Sequence, residues 1–231
     1  MAPDSPRSRA IRAVFHRQAR RYDSWLDSPE GRICFPAELA ALRRLAPWVL
    51  RPALEVGVGT GAFAEALGIP YGIDPAPGML RLARRRGIRV AAAVGESLPL
   101  RAACLGTVYL IFTLCFVEDP RQVLREIKRV LRPGGSLLLG IIPRESPWGR
   151  HYRALGASGH PFYRWARFLS VEETRSLIQS EGFTLAAAAS TLHQQPGETR
   201  FPENVVPGWT ERAGFVALAA IPRPSPPRAP A

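Results

Sequence analysis

Lysine is almost missing from this chain: Lys128 stands alone against 30 arginines, within a total of 31 basic residues. The formal net charge of +12 would suit a polyanion, since basic surfaces neutralise phosphates. The arginines are scattered, however, with Arg84-Arg85-Arg86 the only run of three, and the same chain is rich in Ala, Gly and Pro. That combination reads as the coding bias of a GC-rich genome and as solvated helix ends, so a nucleic-acid partner is not expected. Cysteine is scarce as well. Cys34, Cys104 and Cys115 lie far apart with no C-x-x-C pair, which argues against a disulfide framework and a zinc site, and no metal is expected. No apolar run approaches the ~20 residues that a membrane helix needs; Val108 to Val117 is among the longest. Met1 to Arg12 is polar and rich in Pro and Arg, without the apolar stretch of a signal peptide, so a cytoplasmic protein is expected. No internal repeat is visible.

What remains is the composition of a globular domain, 46% hydrophobic and 22% charged over 231 residues, enough to bury one full core. The chain is organised around Leu54-Glu55-Val56-Gly57-Val58-Gly59-Thr60-Gly61-Ala62-Phe63. Ala53 to Val56 reads as a short strand running into a glycine turn and a helix over Ala62 to Leu67, a unit that presents backbone N–H groups to a ligand at a sheet's carboxyl edge. Glycines at alternate positions allow positive φ and let a ligand approach the main chain. Tyr71-Gly72-Ile73-Asp74 makes a second strand ending in a carboxylate 19 positions after Glu55. In an open α/β sheet such an acid lies beside the glycine turn and accepts both hydroxyls of a ribose, so a nucleoside is the expected ligand.

These residues resemble the class I S-adenosylmethionine (SAM)-dependent methyltransferases, whose first motif is an acid followed by G-x-G-x-G and whose second strand ends in an acid. Leu131-Arg132-Pro133-Gly134-Gly135 before the apolar strand Ser136 to Ile142 resembles that family's loop into its fifth strand. The likeness spans roughly residues 50 to 145, and three motifs in order are more specific than one. It implies an α/β fold: a Rossmann-like, doubly wound sheet of seven strands, mostly parallel, with an antiparallel C-terminal hairpin and helices on both faces. It also implies SAM as cofactor and S-adenosylhomocysteine (SAH) as product. Glu55, Gly57, Gly59 and Gly61 would lie at the methionine and ribose, Asp74 on the ribose hydroxyls, Met79 against the adenine and Phe112 toward the reacting methyl. Gly95-Glu96-Ser97-Leu98-Pro99 resembles the family's loop ending in Leu-Pro-Phe, but Val94 replaces the usual adenine-binding aspartate, leaving that contact to the backbone around Gly95 and Glu96. The acidic run usual before the fourth strand is replaced by Arg101 to Thr107, so that side of the pocket is expected to be more open or less polar.

Residues 1 to 9 read as a mobile start, after which Ile11, Val14, Phe15, Ala19 and Tyr22 mark one helix face and Pro36 to Leu45 a second helix. Residues 1–46 resemble the cap that folds over SAM in many small-molecule methyltransferases, with Tyr22 and Trp25 at the acceptor pocket; both could equally anchor the helix to the core. Residues 47–221 are then the SAM-binding domain, with its third strand at Ile88 to Val94, its fourth at Val108 to Phe112 and a helix from Arg121 to Leu131. Before a helix opened by the capping box Ser170-Val171-Glu172-Glu173, residues 143–169 gather aromatics, histidines and arginines in a substrate-loop insertion. Trp148, His160, Tyr163 and Arg167, with Cys115 after the fourth strand, complete the expected acceptor pocket. Without a neighbouring His or Lys, the Cys115 thiol reads as inert. Thr184 to Leu192 and Gly214 to Ile221 read as an antiparallel pair around the loop Gln194 to Thr210, and residues 222–231, half of them proline, as an unstructured tail.

The expected activity is methyl transfer to a small-molecule acceptor by in-line displacement, carried out by a monomer or homodimer. Alignment is the main requirement. Where the acceptor must lose a proton, His160 beside Tyr163 is the first candidate base and His193 the second. Two other classes stay open. An NAD(P)-dependent oxidoreductase fits Gly57 to Ala62 as G-x-G-x-x-A, but not Glu55, the Arg-Pro-Gly-Gly loop or the lack of a second catalytic domain. A noncatalytic SAM-fold module associated with RNA or protein fits Val94.

Overall fold

The computed structural model describes residues 5–201, 203–210 and 212–223. Eight strands form one sheet: Ala53–Val56 (β1), Tyr71–Ile73 (β2), Arg89–Ala91 (β3), Leu105–Ile111 (β4), Leu131–Ile141 (β5), Phe183–Thr191 (β6), Val206–Pro207 (β7) and Phe215–Pro222 (β8). Their order is β3-β2-β1-β4-β5-β8-β6-β7. The first five run parallel, and β8 lies antiparallel between β5 and β6. The seven predicted strands are present, and β7 is a two-residue edge strand drawn from the stretch read as loop. The chain winds one way from β1 and the other way from β4. Between their carboxyl ends lies the switch point where open sheets take ligands.

Helices cover both faces, which is why β1 and β4 are buried at every position. They are Pro6–Arg17 (α1), Ala19–Asp23 (α2), Gly31–Arg43 (α3), Ala62–Leu67 (α4), Pro77–Arg85 (α5), Pro120–Val130 (α6), Pro147–Ala157 (α7) and Val171–Ser180 (α8). Val108 and Leu110 pack with the α6 and α8 layer, while Tyr109 and Ile111 pack with α3, α4, α5 and α7. α6 opens on Asp119, whose side chain accepts from the amides of Arg121 and Gln122, and it buries Val123, Leu124, Ile127 and Val130. The capping box of Ser170 and Glu173 forms as the spacing predicts.

Several boundaries differ from the sequence reading. Ser5 caps α1 through the Ser8 amide, so residues 6–9 are helical, and residues 1–4 lie outside the described chain. α3 starts at Gly31 and carries Pro36 in its interior; packing of Cys34, Ala37 and Ala41 overrides the proline signal. Leu131 already pairs with Leu105, and the ladder resumes at Thr107 and Ser136 after a register shift, so the Arg-Pro-Gly-Gly run is an irregularity inside β5. α7 occupies what read as loop. Ser146 accepts from the Gly149 amide as its cap, with Pro147 in the first turn. Pro222 ends β8, and the expected tail from residue 224 onward lies outside the described chain.

Candidate active site

The turn leaving β1 depends on glycine. Gly57 and Gly59 have φ of +74° and +53°, a region costly for other residues. A Cβ on Gly57 would strike the Thr113 side chain, whereas one on Gly59 would meet nothing closer than 4.0 Å. The Gly59 amide donates to Asp74 Oδ2 at 3.1 Å and the Ala76 amide to Oδ1 at 2.8 Å. Each oxygen keeps a lone pair for a further donor. Burial drives the Asp74 carboxyl up to about 6 and the two amides pull it down, so it is ionised at neutral pH. Gly61 plays a different part from the predicted one. Its φ is +86° and a Cβ there would lie 3.0 Å from Ala83 Cα, so it lets α4 pack on α5 and lines neither cavity.

Two cavities, of about 540 and 150 Å³, share a rim of Tyr22, Gly57, Gly59, Ile111, Phe112 and Phe116. The smaller is lined by Asp74, Met79, Val94, Gly95 and Glu96, with Ile11 and Phe15 of α1 over it. Glu96 Oε1 accepts from the amides of Glu118 at 2.9 Å and Asp119 at 3.3 Å, which braces the loop after β4. Phe112, at the end of β4, holds φ at +52°, a strained value for a side-chain-bearing residue, while its amide donates to the Gly140 carbonyl at 2.8 Å. Arg101 to Thr107 lead into the opposite end of β4 and line neither cavity, so the replaced acidic run does not open the pocket.

The larger cavity is lined by Glu55, Tyr22, Trp25, Cys115, His160 and Tyr163, all foreseen, and by Glu38, which was not. Glu55 is 2% exposed and its Oε2 has no partner. Burial first, then the Asp74 charge, hold its carboxyl well above the usual range against a hydrogen bond from the Ala64 amide. His160 stacks on Tyr163 at 4.6 Å and Tyr163 lies 4.3 Å from Tyr152. Burial, then Arg21, lower the His160 imidazole, which favours its neutral form. Burial pushes the Cys115 thiol up to about 12, leaving no thiolate.

Three predicted residues lie elsewhere. Trp148 is 2% exposed, covers Gly214 and donates Nε1–H to the Gln194 carbonyl at 2.9 Å; it is core. Arg167 is exposed, and only its backbone amide approaches the site, donating to the Cys115 carbonyl at 2.8 Å. His193 pairs through Nδ1 with Glu203 Oε2 at 3.1 Å and fastens the 194–210 loop, outside both cavities. Part of the basic run also has an internal role: Arg86 donates to the Thr60 carbonyl at 2.8 Å and to Glu65 and Asp23 at 3.0 and 3.1 Å, locking α2 to the glycine turn. Glu38 left one sequence signal. Cys34, Glu38 and Leu42 are spaced i, i+4, i+8, which puts an acid on an apolar stripe.

A family model described as a methyltransferase domain matches residues 54–139. An uncharacterized protein of Mycobacterium tuberculosis is 46% identical, over 89% of this chain and 72% of its own. Another uncharacterized protein, from Methanocaldococcus jannaschii, is 36% identical over 90% and 98%. A crystal structure of a SAM-dependent methyltransferase from Thermotoga maritima, described as a possible histamine N-methyltransferase, superposes with a TM-score of 0.84 at 34% identity, covering 91% of this chain and 98% of that one. These matches lend no support to the oxidoreductase reading. Among the described residues no helix is long and apolar enough to cross a membrane.

Proposed function

Because this chain belongs to the SAM-dependent methyltransferases, using SAM and releasing SAH, we propose that it methylates a small-molecule acceptor held in its larger cavity. SAM supplies a methyl group already activated on a sulfonium. The residues present fit that cofactor. Asp74 keeps lone pairs for two ribose hydroxyls, Gly59 leaves the main chain open, and the buried, unpartnered Oε2 of Glu55 suits an ammonium group. Met79, Val94 and Gly95 then take the adenine in the smaller cavity, with Glu96 holding the loop beside it.

The observation that carries the reading is the rim shared by the two cavities at Gly57, Gly59 and Phe112, which brings a nucleoside site and an acceptor site together. The chain's task is to align the acceptor for direct displacement and exclude water. α1 and α2 serve as the cap, with Phe15 and Tyr22 packed on Phe162 at 5.1 and 5.4 Å, and Phe15 on Phe116 at 5.1 Å. Where the acceptor must release a proton, His160 accepts it and Tyr163 holds the ring in place, in a monomer or homodimer. Incubation with methyl-labelled SAM and a fractionated metabolite extract should put label into a low-molecular-weight product. Label appearing only in protein or RNA would refute the acceptor class.

A further inference from the structure

Glu38 projects from α3 into the larger cavity, is 4% exposed, and has an Oε2 with no partner. A buried carboxyl without a donor is costly, and a leucine on the same stripe would add to the core instead. Its neighbours Tyr22, Tyr152 and Tyr163 come from three separate segments, and all three line the same space. Burial raises the Glu38 carboxyl, and among the described residues no cation offsets that rise. Glu55, by contrast, sits on β1 and feels Asp74. The two buried acids reach the cavity from different elements, α3 and β1.

We propose that Glu38 is the acceptor-recognition residue of the methyltransferase site, selecting compact, partly apolar molecules that carry a basic nitrogen. The inference rests on the methyltransferase reading above. A carboxylate in a cavity lined by aromatic side chains, here Trp25, Phe63 and Tyr152 among others, is a setting that suits an organic cation. An apolar acceptor would leave Oε2 unsatisfied, and an anionic one would bring a further negative charge into a space whose burial already disfavours it.

A proton signature follows. The Glu38 carboxyl is lifted to about 8 in the free chain, so it is largely neutral at pH 7, and docking of an ammonium group stabilises its ionised form and expels a proton. The groups that face it, Tyr22, Cys34, Tyr152 and Tyr163, are all pushed up by burial and stay neutral at that pH.

The test is calorimetric titration of SAH-saturated protein with benzylamine and phenethylamine, their matched alcohols and their matched carboxylates, in two buffers of different ionisation enthalpy. Amines should bind better than alcohols, carboxylates should not bind, and amine binding should release close to one proton. Glu38→Gln should keep SAH affinity, lose about tenfold or more in amine affinity and abolish the proton release. Alcohols or carboxylates binding as well as amines, no amine binding, or unchanged amine affinity and proton release in Glu38→Gln would each overturn the proposal. Failure of the wild-type chain to bind SAH would instead remove the reading beneath it.

Discussion

The main-chain amide of Gly59 donates to Asp74 Oδ2 at 3.1 Å, which joins the turn after β1 to the acid after β2. With the Ala76 amide on its other oxygen, the carboxylate is aimed before a ligand arrives, so little ordering remains to oppose binding. The central strands need only place two chain ends side by side; the hydrogen bonds set the angle.

Asp74 gives the site a pH dependence. Its carboxyl is lifted to about 6 from an ordinary value of 3.8, chiefly by burial. SAH affinity should hold steady above that value and fall as pH drops through it, because a protonated carboxyl is a poorer acceptor for hydroxyl donors. The ligand-free fold responds in the opposite sense. It holds the proton more tightly than the unfolded chain, so this group's contribution to stability falls as pH rises from 3.8 to about 6 and is level beyond. Titration calorimetry and thermal melts across that range read the two trends separately.

Gly57 and Gly59 should fail in different ways when replaced by alanine. Gly57→Ala adds a clash with Thr113 to its φ of +74°, and should cost about 1–3 kcal/mol of stability. Gly59→Ala meets open space at φ +53°, so the fold should lose only about 1–2 kcal/mol while the new methyl obstructs the cofactor. Melts and SAH titrations on both variants compare stability with affinity.

Trp148→Ala should destabilise the fold by about 3–5 kcal/mol, as expected of a fully buried aromatic side chain that also loses a hydrogen bond. Denaturant unfolding measures it. Trp148→Phe should recover much of the loss and bind SAH like wild type. A large affinity change with intact stability would return Trp148 to the pocket.

Arg7 fastens α1 to the loop after β4 and to the segment after α7. It donates to the carbonyls of Trp165 at 2.7 Å, Val117 at 3.1 Å and Phe116 at 3.2 Å, and faces Glu118 at 3.3 Å. Arg7→Ala should speed SAH dissociation and weaken binding by about 1–2 kcal/mol, the scale of a few lost charged hydrogen bonds felt indirectly at the site. Arg7→Lys should rescue it only partly, since an ammonium cannot span the same acceptors. Surface plasmon resonance gives both quantities.

The parts legible in the sequence were those written in backbone chemistry. Glycines at 57 and 59 announce positive φ, Asp119 and Ser170 announce caps, and apolar runs announce strands covered on both faces. Side-chain direction was harder to read. Trp148 and Arg167 share an aromatic, basic stretch with His160 and Tyr163, yet α7 turns Trp148 inward and Arg167 lies exposed, because only the packed arrangement fixes which face meets the cavity. Gly61 belonged to the motif by spacing but to helix packing by position. Glu38 was hidden by a helix start misplaced at Pro36, which obscured the apolar stripe around it.

The central claim is that the glycine turn and Asp74 together hold the adenosyl cofactor. Titration calorimetry of SAH into the wild-type chain and Asp74→Ala tests it most directly, with circular dichroism confirming that the variant folds. The prediction is measurable wild-type binding that weakens by about 1–3 kcal/mol in the variant, the scale of losing charged hydrogen bonds. Equal affinity in two folded proteins would contradict it.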